Sequence, residues 1–198
     1  MIDWSPEVRV LRDPARTFRA LTAAPTRGAW VLARRPLLLL LAMGLTVSLH
    51  SAGRASVRVV VDGMISFLFV PLCEIVALRI ALFRHHSDVP FSRAVDAFFV
   101  SNSPWLLWLL GFWLWRFTQT PLQASSFSFR AVSALSLSWL VPLTWCGYLD
   151  AQFFRALGAR DSSRVARDLA VERAIAWVLG LAYFFGIALW AQLVAWVR

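Results

Sequence analysis

The sequence predicts an all-α fold: an integral membrane bundle of about five transmembrane helices, with a cytoplasmic N-terminus, an outside C-terminus and a short amphipathic N-terminal helix. Three features point to it. Of 198 residues, 59% are hydrophobic and only 16% are charged, whereas a soluble domain is nearer half apolar and a quarter charged. Five apolar stretches are long enough to cross a bilayer, which takes ~20 residues. The basic residues, all 20 of them Arg, flank those stretches unevenly.

The expected spans are about 36–52, 60–83, 95–115, 131–154 and 174–197. Residues 1–35 form a basic cytoplasmic segment and 36–198 the transmembrane domain. Segments 1–35, 84–94 and 155–173 carry seven, two and five arginines, 14 in all. The segments on the other side carry five: Arg54, Arg58, Arg116, Arg130 and Arg198. Cytoplasmic loops collect basic residues, so the N-terminus lies inside. The net charge of +9 would suit nucleic acid, but arginines beside apolar spans are explained by this topology, and no nucleic-acid partner is expected. The lack of Lys with abundant Ala points to a GC-rich bacterial genome, hence a bacterial inner (cytoplasmic) membrane. Residues 36–49 followed by Ser51-Ala52-Gly53 resemble a signal sequence. About 35 residues with seven arginines precede them, too long for a signal n-region, so this is read as a retained first span.

Asp13-Pro14 reads as an N-cap followed by proline at the first helical position. The short helix behind it puts Phe18 and Leu21 on one side and Arg16 and Arg19 on the other. It is expected in the headgroup layer, with its arginines on anionic lipid; the alternative is a soluble cap packed on the bundle. Ser162-Ser163 is expected to open a last cytoplasmic helix with Arg164, Arg167 and Asp168 exposed. Pro71, Pro104 and Pro142 fall inside spans, where each removes a backbone hydrogen bond and kinks its helix. Gly44, Ser48 and Ala52 form a small-residue stripe, as do Ala176 with Gly180 and Ala182 with Gly186. Such stripes predict close helix packing, either internal or between copies of the chain.

An ionisable residue inside a span is a functional candidate because its burial is costly. Asp96 and Asp150 lie near cytoplasmic ends, with Arg79, Arg84, Arg93 and Arg155 as expected neighbours in an ion-pair network that locks helices together. Glu74 lies deeper, about nine residues or ~13 Å from the end of its helix. Arg79 is ~140° around that helix from it, so Glu74 needs a partner on another helix or a proton. Either it relays protons or contacts a ligand, or it is a hydrogen-bonded core carboxyl that sets packing. His85-His86 with Asp88 reads as a solvated loop rather than a metal site, and Cys73 and Cys146 as small core residues. No hydrolase, phosphate-loop or dinucleotide pattern is present. No enzyme activity, metal or cofactor is expected, although the aromatic surfaces would suit a bound lipid or pigment.

The layout resembles the Yip domain family, the Ypt/Rab-interacting membrane proteins and their bacterial relatives. The likeness rests on Asp13-Pro14-Ala15-Arg16-Thr17-Phe18-Arg19-Ala20-Leu21 with Pro25, and on a tight first hairpin at Gly53. It continues with Val89-Pro90-Phe91-Ser92-Arg93-Ala94 ahead of Pro104, and with Tyr148 through Leu157. These short motifs cover nearly the whole chain, but His85-His86-Ser87-Asp88 stands where the family often has Gly-Gly. Eukaryotic members bind Rab GTPases in vesicle traffic, a pathway bacteria lack. The resemblance therefore implies fold and topology, with no catalytic residue to carry over.

Three functions follow as expectations. The first is a non-enzymatic scaffold or accessory subunit that binds a larger membrane protein complex through its Trp-rich faces, with Trp105, Trp108 and Phe112 roughly in line. The second is a small transporter or ion/proton-pathway protein that uses Glu74. The third is a lipid-binding or membrane-shaping protein that acts through the N-terminal helix.

Overall fold

A computed structural model describes residues 5–25, 28, 30–83, 89–118, 137–158 and 161–197, the side chains of 116–118, 188 and 190–197 excepted. Arg84, the His85-His86-Asp88 loop, Arg130, Arg198 and the first part of the expected fourth span, 131–136, lie outside the described residues. Among the described residues every regular element is a helix. Among the described residues four segments are long and apolar enough to cross a membrane: Trp30–Ala52, Val57–Leu82, Phe91–Trp115 and Ser162–Ile187.

The chain opens with α1 (Pro6–Arg12) and α2 (Pro14–Ala23), each with proline in its first turn. The Asp13 carboxylate accepts from the Arg16 backbone N–H at 3.1 Å, which is the expected N-cap of α2. The orientation of α2 differs from the headgroup-layer expectation. Phe18 is fully buried and meets Phe153 edge-on at 5.9 Å, and Leu21 packs on the same core. Arg16 and Arg19 face outward. A half-apolar face gains more by closing a protein core than by resting among headgroups, so α1 and α2 form a cap on the bundle.

The first candidate span, α3 (Trp30–Ala52), begins six residues before the expected start and carries Pro36 inside it. It turns back at Gly53, whose φ of +65° suits glycine, into α4 (Val57–Ser66). Ser48 ties the turn, donating to the Arg54 carbonyl at 2.9 Å and accepting from the Ser56 N–H at 2.8 Å. The Gly44–Ser48 part of the stripe is used internally. A Cβ on Gly44 would stand 2.4 Å from the Val60 carbonyl oxygen, and one on Gly63 would stand 3.0 Å from the Gly44 Cα. Gly180 and Gly186 have open space at the same position.

The expected second span is two helices. After α4 the chain makes one irregular turn and resumes as α5 (Phe69–Leu82). Pro71 has no N–H to offer the Phe67 carbonyl, which instead accepts from Val70 at 3.0 Å. The third span is also interrupted. It runs as α6 (Phe91–Phe98), a 3₁₀ turn (Phe99–Asn102) and α7 (Ser103–Thr118). Pro104 cannot serve the Val100 carbonyl, so the Ser103 hydroxyl donates to it at 2.6 Å.

The described part of the expected fourth span is α8 (Leu140–Ala156), 17 residues long. Pro142 sits in its first turn, where helical N–H groups lack partners anyway, so no helical hydrogen bond is lost there. The expected last cytoplasmic helix and fifth span are one element, α9 (Ser162–Val197), of 36 residues and about 54 Å. Asp161 rather than a serine caps it, accepting from the Ser163 N–H and hydroxyl at 3.2 and 2.6 Å. Asp168 is buried, at 4% exposure, not exposed as expected.

The core is concentrated at the capped end, where α2, α6, α8 and the start of α9 meet through Phe18, Phe98, Phe153, Phe154 and Val165. Away from the cap, leucines, isoleucines and aromatics of α3, α5, α7, α8 and α9 face outward. In water that pattern would be an aggregation liability; in lipid it is the outer surface.

Candidate functional site

Two polar clusters join the helices, and each is built on a carboxylate with no exposed surface. The first lies beneath the cap. Asp96 on α6 is held by three arginines. Arg34 grips it bidentately, Nε to Oδ1 and Nη2 to Oδ2, both at 2.7 Å. Arg93 reaches Oδ2 at 3.1 Å. Arg35 pairs with the carboxylate and donates to the Asp96 carbonyl at 2.9 Å. Arg35 also donates to Glu7 of α1 at 2.9 Å, which ties the cap to α3. Burial pushes the Glu7 carboxyl up. The Arg35 hydrogen bond and charge, with a backbone hydrogen bond, outweigh that and hold it below the usual carboxylate range.

Of the described neighbours expected for Asp96, Arg93 is the one that reaches it; Arg84 lies outside the described residues. Arg79 lies on the outer side of α5, its guanidinium 4.9 Å from the centre of the Phe91 ring, a cation–π contact. Arg34 and Arg35 escaped notice because the first helix was expected to start at Pro36. Its extra turns bring both arginines over α6.

The second cluster lies deeper and gathers residues from four elements. Asp150 of α8 accepts from the Ser101 hydroxyl and pairs with Arg173 of α9. Arg173 Nε also lies 3.5 Å from Glu172 Oε2. Glu172 is fully buried, and neither of its oxygens takes a hydrogen bond. Glu74 of α5 accepts from the Asn102 amide at 3.3 Å. Arg173 thus meets Asp150 and Glu172 directly, and the 3₁₀ turn that gives Ser101 to Asp150 gives Asn102 to Glu74. Glu74 is eight residues from the Leu82 end of α5, about 12 Å. Asp150 lies two residues past the last outward-facing apolar ring of α8, Tyr148, on the side of the cap, and Arg173 one turn before the first on α9, Trp177.

The helix interruptions supply this cluster. The 3₁₀ turn Phe99–Asn102 presents Ser101 to Asp150 and Asn102 to Glu74. The irregular turn ahead of Pro71 precedes Glu74 by one to two helical turns. Non-α backbone at membrane depth is tolerated where it lines a polar site, and broken helices mark binding sites in many transporters.

Glu172, Arg173, Ser101 and Asn102 were not among the expected site residues. The first two were assigned to the loop 155–173. A signal for Glu172 did exist: Val165, Asp168 and Glu172 recur at helical spacing, so two acids occupy the inward stripe of α9.

The expected partner-contact row, Trp105, Trp108 and Phe112, is half-exposed and also makes ring contacts within the chain. Trp105 and Trp108 both meet Trp139 edge-on, at 6.3 and 5.9 Å, and Phe112 stacks on Trp108 at 5.8 Å. The Trp108 indole donates to Ser138 at 3.0 Å. Among the described residues no three His, Cys, Asp or Glu side chains are grouped to hold a metal ion.

No family model matches this chain, and neither does any curated protein or solved structure. The Yip resemblance therefore gains no support from them, and function is argued from the site.

Proposed function

We propose that this chain is a small, non-enzymatic membrane protein that carries an ion, with the Glu74–Asp150–Glu172–Arg173 cluster as its pathway. One observation carries the reading: a single guanidinium, Arg173, meets both Asp150 and the fully buried Glu172, while a third carboxyl, Glu74, faces only the neutral amide of Asn102. A structural ion pair needs one partner for each charge. A surplus of carboxyls among apolar helices is costly unless the site exists to take up positive charge. Asn102 and Ser101, presented by a helix interruption, support the same reading.

The accompanying topology is five spans in a bacterial inner membrane, with α8 in the fourth and the cap in the cytoplasm. The arginine asymmetry supports that orientation. The Yip-like layout enters this proposal as topology alone.

The test is reconstitution of the purified full chain in vesicles carrying a potential-sensitive dye. Wild type should pass current under an imposed ion gradient, and Glu74→Gln should abolish it. Equal signals from Glu74→Gln and wild type would sink the proposal.

A second reading is the accessory subunit of a larger membrane complex. The outward-facing Trp177, Phe184, Phe185 and Leu189 of α9 favour it. Gentle extraction followed by size-exclusion chromatography and mass spectrometry tests it; a chain that migrates alone counts against it.

A further inference from the structure

We propose that the ion carried by this cluster is a proton, and that it arrives from the capped end of the bundle through Asp168 and Glu172. The inference rests on the ion-pathway reading and adds the identity of the ion and its direction of approach.

The identity follows from Arg173. A metal or alkali cation at the three carboxyls would have to stand beside a permanent guanidinium charge, and in a poorly polarisable interior the two would repel strongly. A proton joins a carboxyl covalently and leaves no separate cation. Arg173 balances one carboxylate, and Asp150 takes it directly. Glu74 is met by a neutral amide donor. Glu172 is fully buried with no hydrogen bond to either oxygen, a setting that penalises an ionised carboxylate. The charged groups that act on Glu172 are Arg173 on its own helix, Asp150 from α8 and Glu74 from α5.

The direction follows from the spacing of acids. Asp168 precedes Glu172 by four residues on α9, about 6 Å along the axis and ~40° around it. It is buried on the same stripe, and its carboxylate lies 3.7 Å from the outward-facing Arg167. Toward the opposite end, the next acid along the helices that carry Glu74 is Asp62, exposed on α4 beyond the irregular turn. That is 12 residues away, about 18 Å of helix. In each step the neutral Glu172 first releases its proton inward toward Glu74, and a protonated Asp168 then passes its own proton to the carboxylate this leaves. Glu172 is again the neutral acid, and Asp168 is again a carboxylate beside Arg167, ready for the next proton.

The experiment uses the full chain in vesicles with an entrapped pH dye and a potassium diffusion potential. Wild type should acidify the lumen at the same rate whether the salt is sodium, potassium or choline. Asp168→Asn should slow uptake about tenfold and make the rate depend on buffer concentration at the capped side. A merely structural role would not produce that buffer dependence. Asp168→Glu should restore the wild-type rate, and Asp168→Ser, should the Asn variant fail to fold, should repeat its defect. A flux that requires sodium or another metal ion overturns the proton identity. Asp168→Asn indistinguishable from wild type at every buffer concentration overturns the route. Wild-type vesicles that carry no ion at all overturn the ion-pathway reading itself.

Discussion

Asp150 on α8 and Arg173 on α9, 23 residues apart in the chain, form an ion pair that joins the two helices beside the turn carrying Ser101. Removing one partner of a buried pair costs about 3–5 kcal/mol, because the other charge stays behind. Asp150→Ala is therefore expected to lower stability by about that much in denaturant titrations in mixed micelles. A loss below ~1 kcal/mol, the scale of an exposed pair, would show that Arg173 finds other solvation.

The Glu7–Arg35 contact predicts a pH dependence for the cap. Glu7 is held below its ordinary range in the folded chain. Its contribution is thus complete above the normal carboxylate range and disappears as pH falls through the lowered value. Amide hydrogen exchange of α1 and α2, corrected for its intrinsic pH dependence, should accelerate on acidification through that window. In Glu7→Gln the same step should vanish; an unchanged profile would assign it to another group.

Gly44 and Gly180 make a matched comparison. A Cβ at Gly44 would collide with the Val60 backbone at 2.4 Å, whereas one at Gly180 meets nothing within 4 Å. Gly44→Ala is expected to cost about 1–3 kcal/mol, as overpacking does. Gly180→Ala should be neutral or slightly stabilising. Equal thermal midpoints for the two variants would contradict the close approach of α3 and α4.

Phe18 separates a cap from a lipid anchor. As a buried ring on Phe153, it should cost about 3–5 kcal/mol when cut to Ala. The same change in a headgroup-layer helix would weaken vesicle binding without moving the unfolding midpoint. The readout is unfolding in detergent, where no bilayer is present.

Much of the fold was legible from local rules. Asp13-Pro14 caps α2, Gly53 closes the hairpin, and Pro71 and Pro104 interrupt their helices, because capping and proline chemistry depend on a few neighbouring residues. The candidate site was legible only in part. Glu74, Asp96 and Asp150 stood out as acids among apolar residues. Of their charged partners Arg93 was legible; Arg34, Arg35, Glu172 and Arg173 were not, because they sit where helices run on past the apolar stretches, and hydropathy cannot separate such a turn from a loop.

Residue order alone was enough to specify that this chain has helices apolar enough for a membrane, that Pro71 and Pro104 interrupt two of them, and that Glu74, Asp96 and Asp150 are acids among apolar residues. Such properties follow from side-chain solvation and from backbone hydrogen bonds made within a few residues. It took the folded arrangement to turn Phe18 inward, to gather three arginines on Asp96, and to bring Glu74, Asp150 and Glu172 together around Arg173. Those outcomes depend on which helix faces which, and that is set by packing between residues far apart in the chain, such as Gly44 against Val60 and Phe18 against Phe153.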